Sequence, residues 1–84
     1  STKLTEILKG FKPKFELGHY VVYEEKLGNI FNGIIIEQRD TSYKIFNPFN
    51  KTLHCISENY ITLANTKDII NIENECKKLV KEVL

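Results

Sequence analysis

Five short runs of β-type residues, each bounded by turn residues, constrain the fold of this chain more than any other feature. The predicted strands cover residues 19–24, 30–39, 43–46, 52–56 and 60–63, and a short helical turn is expected at 57–59. The pair Asn32-Gly33 near the start of the second run predicts a bulge or a sharp bend. Short strands at this spacing are typical of a small, strongly bent antiparallel barrel. Because barrels of this size mostly bind other molecules, the pattern favours a binding module over an enzyme.

The segments on either side of the strands repeat their apolar residues with a helical period. Residues 2–9 carry Leu4, Ile7 and Leu8 at the spacing of a short amphipathic helix. Residues 65–84 carry a longer stripe after a predicted cap at Thr66: Ile69, Ile72, Cys76, Leu79, Val80 and Val83. We therefore expect one α+β domain over 1–84, with an N-terminal helix and linker (1–14), a five-stranded antiparallel barrel (15–64) and a C-terminal helix (65–84).

Composition excludes several classes of function. The 84 residues carry a net charge of +1, which removes bulk electrostatics as an argument for nucleic acid. No apolar run approaches the ~18 residues of a membrane span, so no membrane partner is expected. Cys55 and Cys76 are too few for a disulfide scaffold or a zinc site. Both fall where an apolar residue is expected, and we predict two reduced core thiols in a cytoplasmic protein.

Two short strings resemble the SH3 domains. Val22-Tyr23-Glu24 is similar to their Ala-Leu-Tyr-Asp-Tyr segment, and Asn59-Tyr60-Ile61 is similar to their closing Asn-Tyr-Val. This resemblance implies an SH3-like barrel flanked by the two helices. The chain has no tryptophan, however, and Ser57 stands where the SH3 pocket uses proline. Since those two residues build the grooves for proline-rich peptides, such a groove is not expected here.

A second resemblance covers more of the strand region. The string from Phe15 to Tyr23 is similar to the opening of the RNA-polymerase-interacting domains of CarD and of the transcription-repair coupling factor. There, a Gly-Asp-x-Val-Val-His/Tyr string begins a Tudor-like barrel, and His19 of this chain replaces the usual Asp. Gly28 and the pair Gly33-Ile34 match the following loop and strand. The resemblance implies a barrel that adds an edge strand to RNA polymerase.

The aromatic residues carry the functional hypotheses, because no group of residues predicts catalysis, a metal site or a cofactor. His19 and His54 lie on different predicted strands without a sequence-near partner that suits a nucleophile. Four aromatic residues would make a rigid contact surface for a protein if they shared one exposed face, and the alternative for each is a place in the core: Tyr23, Phe31, Phe49 and Tyr60.

The sequence leaves several functions open. The first is a non-enzymatic protein–protein interaction module in transcription regulation, which binds its partner through a strand edge and loop aromatics. The second is a nucleic-acid-binding barrel in which Phe31 or Phe49 stacks on bases and three lysines contact phosphates: Lys9, Lys12 and Lys14. Self-association through the C-terminal stripe and a small enzyme on the same barrel are the remaining alternatives.

Overall fold

The computed structural model describes residues 14–83 and shows an α+β chain with one antiparallel sheet and a C-terminal helix. The strands are β1 (Tyr20–Glu24), β2 (Ile30–Gln38), β3 (Ser42–Asn47), β4 (Thr52–Ser57) and β5 (Ile61–Leu63). A 3-10 turn (Glu58–Tyr60) joins β4 to β5, and helix α1 spans Thr66–Val83. The predicted N-terminal helix over 2–9 lies outside the described residues.

The five strands lie in the order β4-β3-β2-β1-β5. All five predicted strands are confirmed, with bounds that differ by a residue or two. Within residues 14–83, β4 and β5 stand at the two ends of this order and are not paired with each other. The five-stranded antiparallel sheet is therefore established, and its closure into an SH3-like barrel stays a prediction.

One face of the sheet holds the hydrophobic core, because side chains alternate between the two faces of a strand. Along β3, for example, Tyr43, Ile45 and Asn47 are buried, whereas the residues between them are only half-buried. The buried apolar cluster takes residues from all five strands and from the segment before β1: Phe15, Val21, Tyr23, Ile35, Tyr43, Ile45, Ile56 and Ile61. Helix α1 buries Ile72 outside this cluster and contacts β2.

Gly33 is required by close packing and does not form the bulge predicted at Asn32-Gly33. The register of β2 against β3 shifts between Ile35 and Glu37, so the irregularity lies beyond the glycine. A Cβ at position 33 would contact the Ile45 side chain and would lie 2.8 Å from the Phe46 carbonyl oxygen. Glycine therefore lets β2 and β3 approach closely over the core.

Three further expectations are corrected. Asn65 caps α1 in place of Thr66, because its side-chain Oδ1 accepts a hydrogen bond of 2.8 Å from the Asp68 N–H. Cys55 is exposed, since it points away from the face on which its neighbour Ile56 is buried. Cys76 is half-buried, and both cysteines are free thiols.

No helix within the described residues combines the length and the apolar character needed to cross a bilayer.

Candidate functional site: a groove beside a free strand edge

The loop between β1 and β2 is held in one shape by its own hydrogen bonds. The Gly28 N–H donates to the Glu24 carboxylate over 2.9 Å, and the Asn29 N–H donates to the Lys26 carbonyl over 2.9 Å. Lys26 and Gly28 both adopt left-handed backbone angles, with φ of 99° and 89°. This tight turn leaves Leu27 fully exposed at its tip, with a relative exposure of 100%.

A groove of about 510 Å³ separates this loop from the end of β4 and the 3-10 turn. Its volume lies within the ~300–1,000 Å³ of typical ligand sites. Tyr60 is 58% exposed and lines the groove together with Leu27 of the loop. The remaining lining residues are Glu24, Glu25, Lys26, Cys55, Ile56 and Ser57. The groove thus combines apolar walls with two carboxylates and one ammonium group.

Strand β4 borders the groove and has a free main-chain edge within the described residues. The Glu58 N–H donates to the Thr41 carbonyl over 3.0 Å. This bond identifies which residues of β4 form main-chain hydrogen bonds with β3 and which do not. By alternation, Leu53, Cys55 and Ser57 direct their main-chain N–H and C=O groups away from β3. The strand contains neither a charged residue nor a proline, the usual protections of an edge. This edge is therefore competent to pair with another strand.

A histidine joins β4 to the loop beside the groove. His54 Nδ1 lies 3.0 Å from the Glu25 carboxylate, and its Nε2 lies 2.6 Å from the Thr52 hydroxyl. Hydroxyl, imidazole and carboxylate in this order could also form a nucleophilic relay. The Thr52 hydroxyl is shared with the Asn50 side-chain oxygen, however, and Thr52 does not line the groove. We therefore assign this link a structural role: it fixes the spacing between the loop and β4.

The structure does not place the four aromatic residues that were predicted as one contact surface on a single exposed face. Tyr23 is only 1% exposed, because it shares the inner face of β1 with Val21, and its predicted contact role is corrected to a core role. Burial raises the pKa of its phenol above the ordinary 10.0, which the Asn47 hydrogen bond partly offsets and the Glu25 charge reinforces. Tyr60 is exposed at the groove.

Phe31 and Phe49 lie together in a second pocket of about 450 Å³. Phe31 is half-buried and stacks on Tyr23 with ring centroids 5.7 Å apart and an interplanar angle of 29°. Phe49 is 46% exposed in the β3–β4 turn. Besides these rings, the lining consists of Ile30, Asn32, Asn47, Asn50 and Asn71. We call this site the aromatic–amide pocket.

Of the three lysines predicted to contact phosphates, only Lys14 falls within the described residues. It is exposed, and its Nζ lies 5.5 Å from the centroid of the Phe15 ring, within range of a cation–π contact. Lys9 and Lys12 lie outside the described residues. The apolar stripe of α1 leaves Val80 and Val83 exposed, and self-association through it stays a prediction.

Sequence reasoning missed Leu27, Ile30 and Cys55 as exposed groove or pocket residues. The available signal for Leu27 was its place before a glycine in a predicted loop, because loops run over the protein surface. The His54–Glu25 link gave no signal, because its two residues are distant in the sequence. Residues 14–83 contain no cluster of three or more His, Cys, Asp or Glu side chains that could hold a metal ion.

Comparison with known proteins does not place the chain in a family. No family model matches it, and searches of curated proteins and of solved structures gave no match either. The resemblances to the SH3 domains and to the polymerase-interacting domain of CarD therefore stay predictions.

Proposed function

We propose that this protein is a non-enzymatic interaction module that binds an extended segment of a partner protein along β4. The observation that carries the proposal is the coincidence of two features at one place. Cys55 and Ser57 contribute both to the unprotected main-chain edge and to the lining of the groove. A partner strand that pairs with this edge would gain main-chain hydrogen bonds from β4 and side-chain contacts from the groove.

The exposed apolar side chains supply the second part of the recognition. Leu27 and Tyr60 face the groove, and Tyr60 also lines an adjoining pocket of about 230 Å³ together with Ile30. Tyrosine at such a position provides a large contact area at a low entropic cost. An extended segment with one or two apolar anchors fits these walls.

The charges around the groove favour a basic partner segment. Glu24 and Glu25 outnumber Lys26 in the lining, and Glu58 follows directly on β4. Glu24 accepts a hydrogen bond from the Gly28 N–H and Glu25 lies against His54, and both carboxylates remain in the lining of the groove. A lysine or arginine beside the apolar anchor would therefore be favoured.

A component of the transcription machinery is the first partner to test. This choice rests on the resemblance of the string from Phe15 to Tyr23 to the polymerase-interacting domains, in which a barrel pairs with a strand of RNA polymerase. Strand addition at β4 would be the same mode of binding.

The test compares two substitutions at one position of β4. Cys55→Pro removes one outward N–H from the edge, whereas Cys55→Ser keeps it and has a similar volume. Peptides from a random library, and strand segments of the RNA polymerase β subunit, are titrated against the folded chain by calorimetry. We expect Cys55→Pro to weaken binding at least about tenfold and Cys55→Ser to leave it within about twofold.

Tyr60→Ala tests the side-chain part, with Leu63→Ala as its control. Leu63 is 62% exposed on β5 and lines neither the groove nor the adjoining pocket. The proposal fails if no peptide binds, or if the folded Cys55→Pro variant binds as tightly as the unaltered chain. Circular dichroism of every variant separates lost binding from lost folding.

A further inference from the structure

We propose that the aromatic–amide pocket binds an adenine ring, either of a free nucleoside or of an unstacked base in a single strand. This site is separate from the β4 groove, and the inference does not depend on the proposed protein partner. Two aromatic rings and several neutral amides line one open surface pocket of about 450 Å³, and this lining contains no charged residue. Such a lining suits a flat, uncharged ring with both donors and acceptors on its edge.

The aromatic part of the pocket is preorganised for stacking. Phe31 stacks on Tyr23 at 5.7 Å, and the Tyr23 hydroxyl accepts a hydrogen bond of 2.9 Å from Asn47. Asn47 also accepts hydrogen bonds from the N–H groups of Phe49 and Asn50, at 2.9 and 3.3 Å. The buried Asn47 amide thus holds Tyr23, on which Phe31 stacks. It also holds the turn that carries Phe49. A base entering the pocket would stack on rings already held in place.

The remaining amides supply the edge recognition. Asn47 is occupied by these three hydrogen bonds, whereas no side-chain hydrogen bond occupies Asn32 or Asn71 in the part of the chain that the structure describes. Asn32 comes from β2 and Asn71 from α1, so sheet and helix each contribute one amide. An asparagine amide can both donate to N7 and accept from N6 of adenine, which makes adenine the best-matched base.

The uncharged lining also predicts how binding depends on salt. A site that holds phosphates by lysine releases counterions, so its affinity falls steeply as salt rises. Stacking and amide hydrogen bonds release none. The aromatic–amide pocket should therefore bind adenosine with an affinity that is nearly independent of salt, unlike the lysine-based contact expected from the sequence.

The experiment titrates the isotope-labelled 84-residue chain with adenosine and with a short oligoadenylate, and records the asparagine side-chain NH₂ signals by NMR. We expect shifts at Asn32 and Asn71 that saturate as the ligand is added. The affinity for adenosine should change little between low and high salt. Phe49→Ala should weaken binding roughly five- to 150-fold, the range for loss of one stacking ring. Asn71→Ala should weaken it clearly more than Asn74→Ala, since Asn74 is exposed on the same helix outside the pocket.

Comparing adenosine with oligoadenylate shows whether the adenine ring comes from a free nucleoside or from a single strand. Equal affinity for adenosine and oligoadenylate identifies a nucleoside site, and much tighter binding of the oligomer identifies a single-strand site; both support the proposal. The proposal is overturned if adenosine causes no shift at millimolar concentration, or if glucose or a peptide shifts the same amides as strongly. Equal losses in Asn71→Ala and Asn74→Ala, or unchanged binding by a folded Phe49→Ala variant, would also overturn it.

Discussion

Replacing Asn47 by alanine should destabilise the protein far more than any exposed asparagine substitution. Asn47 is 2% exposed and links β1, β3 and the β3–β4 turn by its side chain alone. Its amide donates to the Tyr23 hydroxyl over 2.9 Å, and its carbonyl accepts from the Phe49 and Asn50 N–H groups over 2.9 and 3.3 Å. Removal of the side chain therefore eliminates a buried contact with Tyr23 and two hydrogen bonds that hold the turn.

The magnitude follows from these contacts. The hydrogen bond of 2.9 Å to the Phe49 N–H contributes about 0.5–1.5 kcal/mol, and the buried Tyr23 hydroxyl left without its Asn47 partner costs about 1–3 kcal/mol. The turn N–H groups can still reach water, so we expect a total loss of about 2–4 kcal/mol. In a domain of this size, that loss lowers the Tm by at least roughly 8 °C. It is also a large part of the ~5–15 kcal/mol that holds a typical domain folded.

Urea unfolding followed by circular dichroism measures this loss, with Asn59→Ala as the control. Asn59 is exposed in the 3-10 turn, and its substitution should change the free energy of unfolding by less than about 0.5 kcal/mol. A double-mutant cycle with Tyr23→Phe isolates the Asn47–Tyr23 contact, for which we expect a coupling of about 1 kcal/mol. Equal stabilities of the Asn47→Ala and Asn59→Ala variants, or a coupling of zero, would refute the reasoning.

Three further outcomes are expected. Gly33→Ala should destabilise the fold by about 1–3 kcal/mol in urea unfolding, because its Cβ would meet the Ile45 side chain, and an unchanged midpoint would contradict this packing. Since the folded-state pKa of Tyr23 is raised, its stabilising effect is complete below the unfolded pKa of 10.0 and is lost as the pH rises through the folded value. In an ultraviolet titration, Tyr23→Phe should therefore lack a phenol that ionises above pH 10.0, and an alkaline loss of stability should shrink in this variant; an identical pH profile would exclude this cause. A thiol reagent should label exposed Cys55 before Cys76, whose pKa is raised by burial and by two neighbouring glutamates, and the reverse order in a mass spectrum would contradict the assigned exposures.

The local sequence signals succeeded where one segment contains all the information. The turn residues that bound the strands and the apolar period of α1 each act over a few residues, and the strands and the helix lie where they were predicted. The signals failed where the outcome depends on how one segment packs against others. Both faces of β1 carry large residues, for example Tyr20 and Tyr23, so the alternation alone could not say which tyrosine enters the core.

By itself, the sequence determined the number and approximate bounds of the strands, the α+β class and the C-terminal helix, because turn chemistry and periodicity are properties of the local chain. Only the tertiary structure decided that β4 lies at an edge beside a groove, that His54 meets Glu25, and that Asn47 supports two aromatic rings. Each of these depends on strand order and register, which bring together residues that are distant in the sequence. The exposed edge and the aromatic–amide pocket, which carry both proposals, belong to this second group.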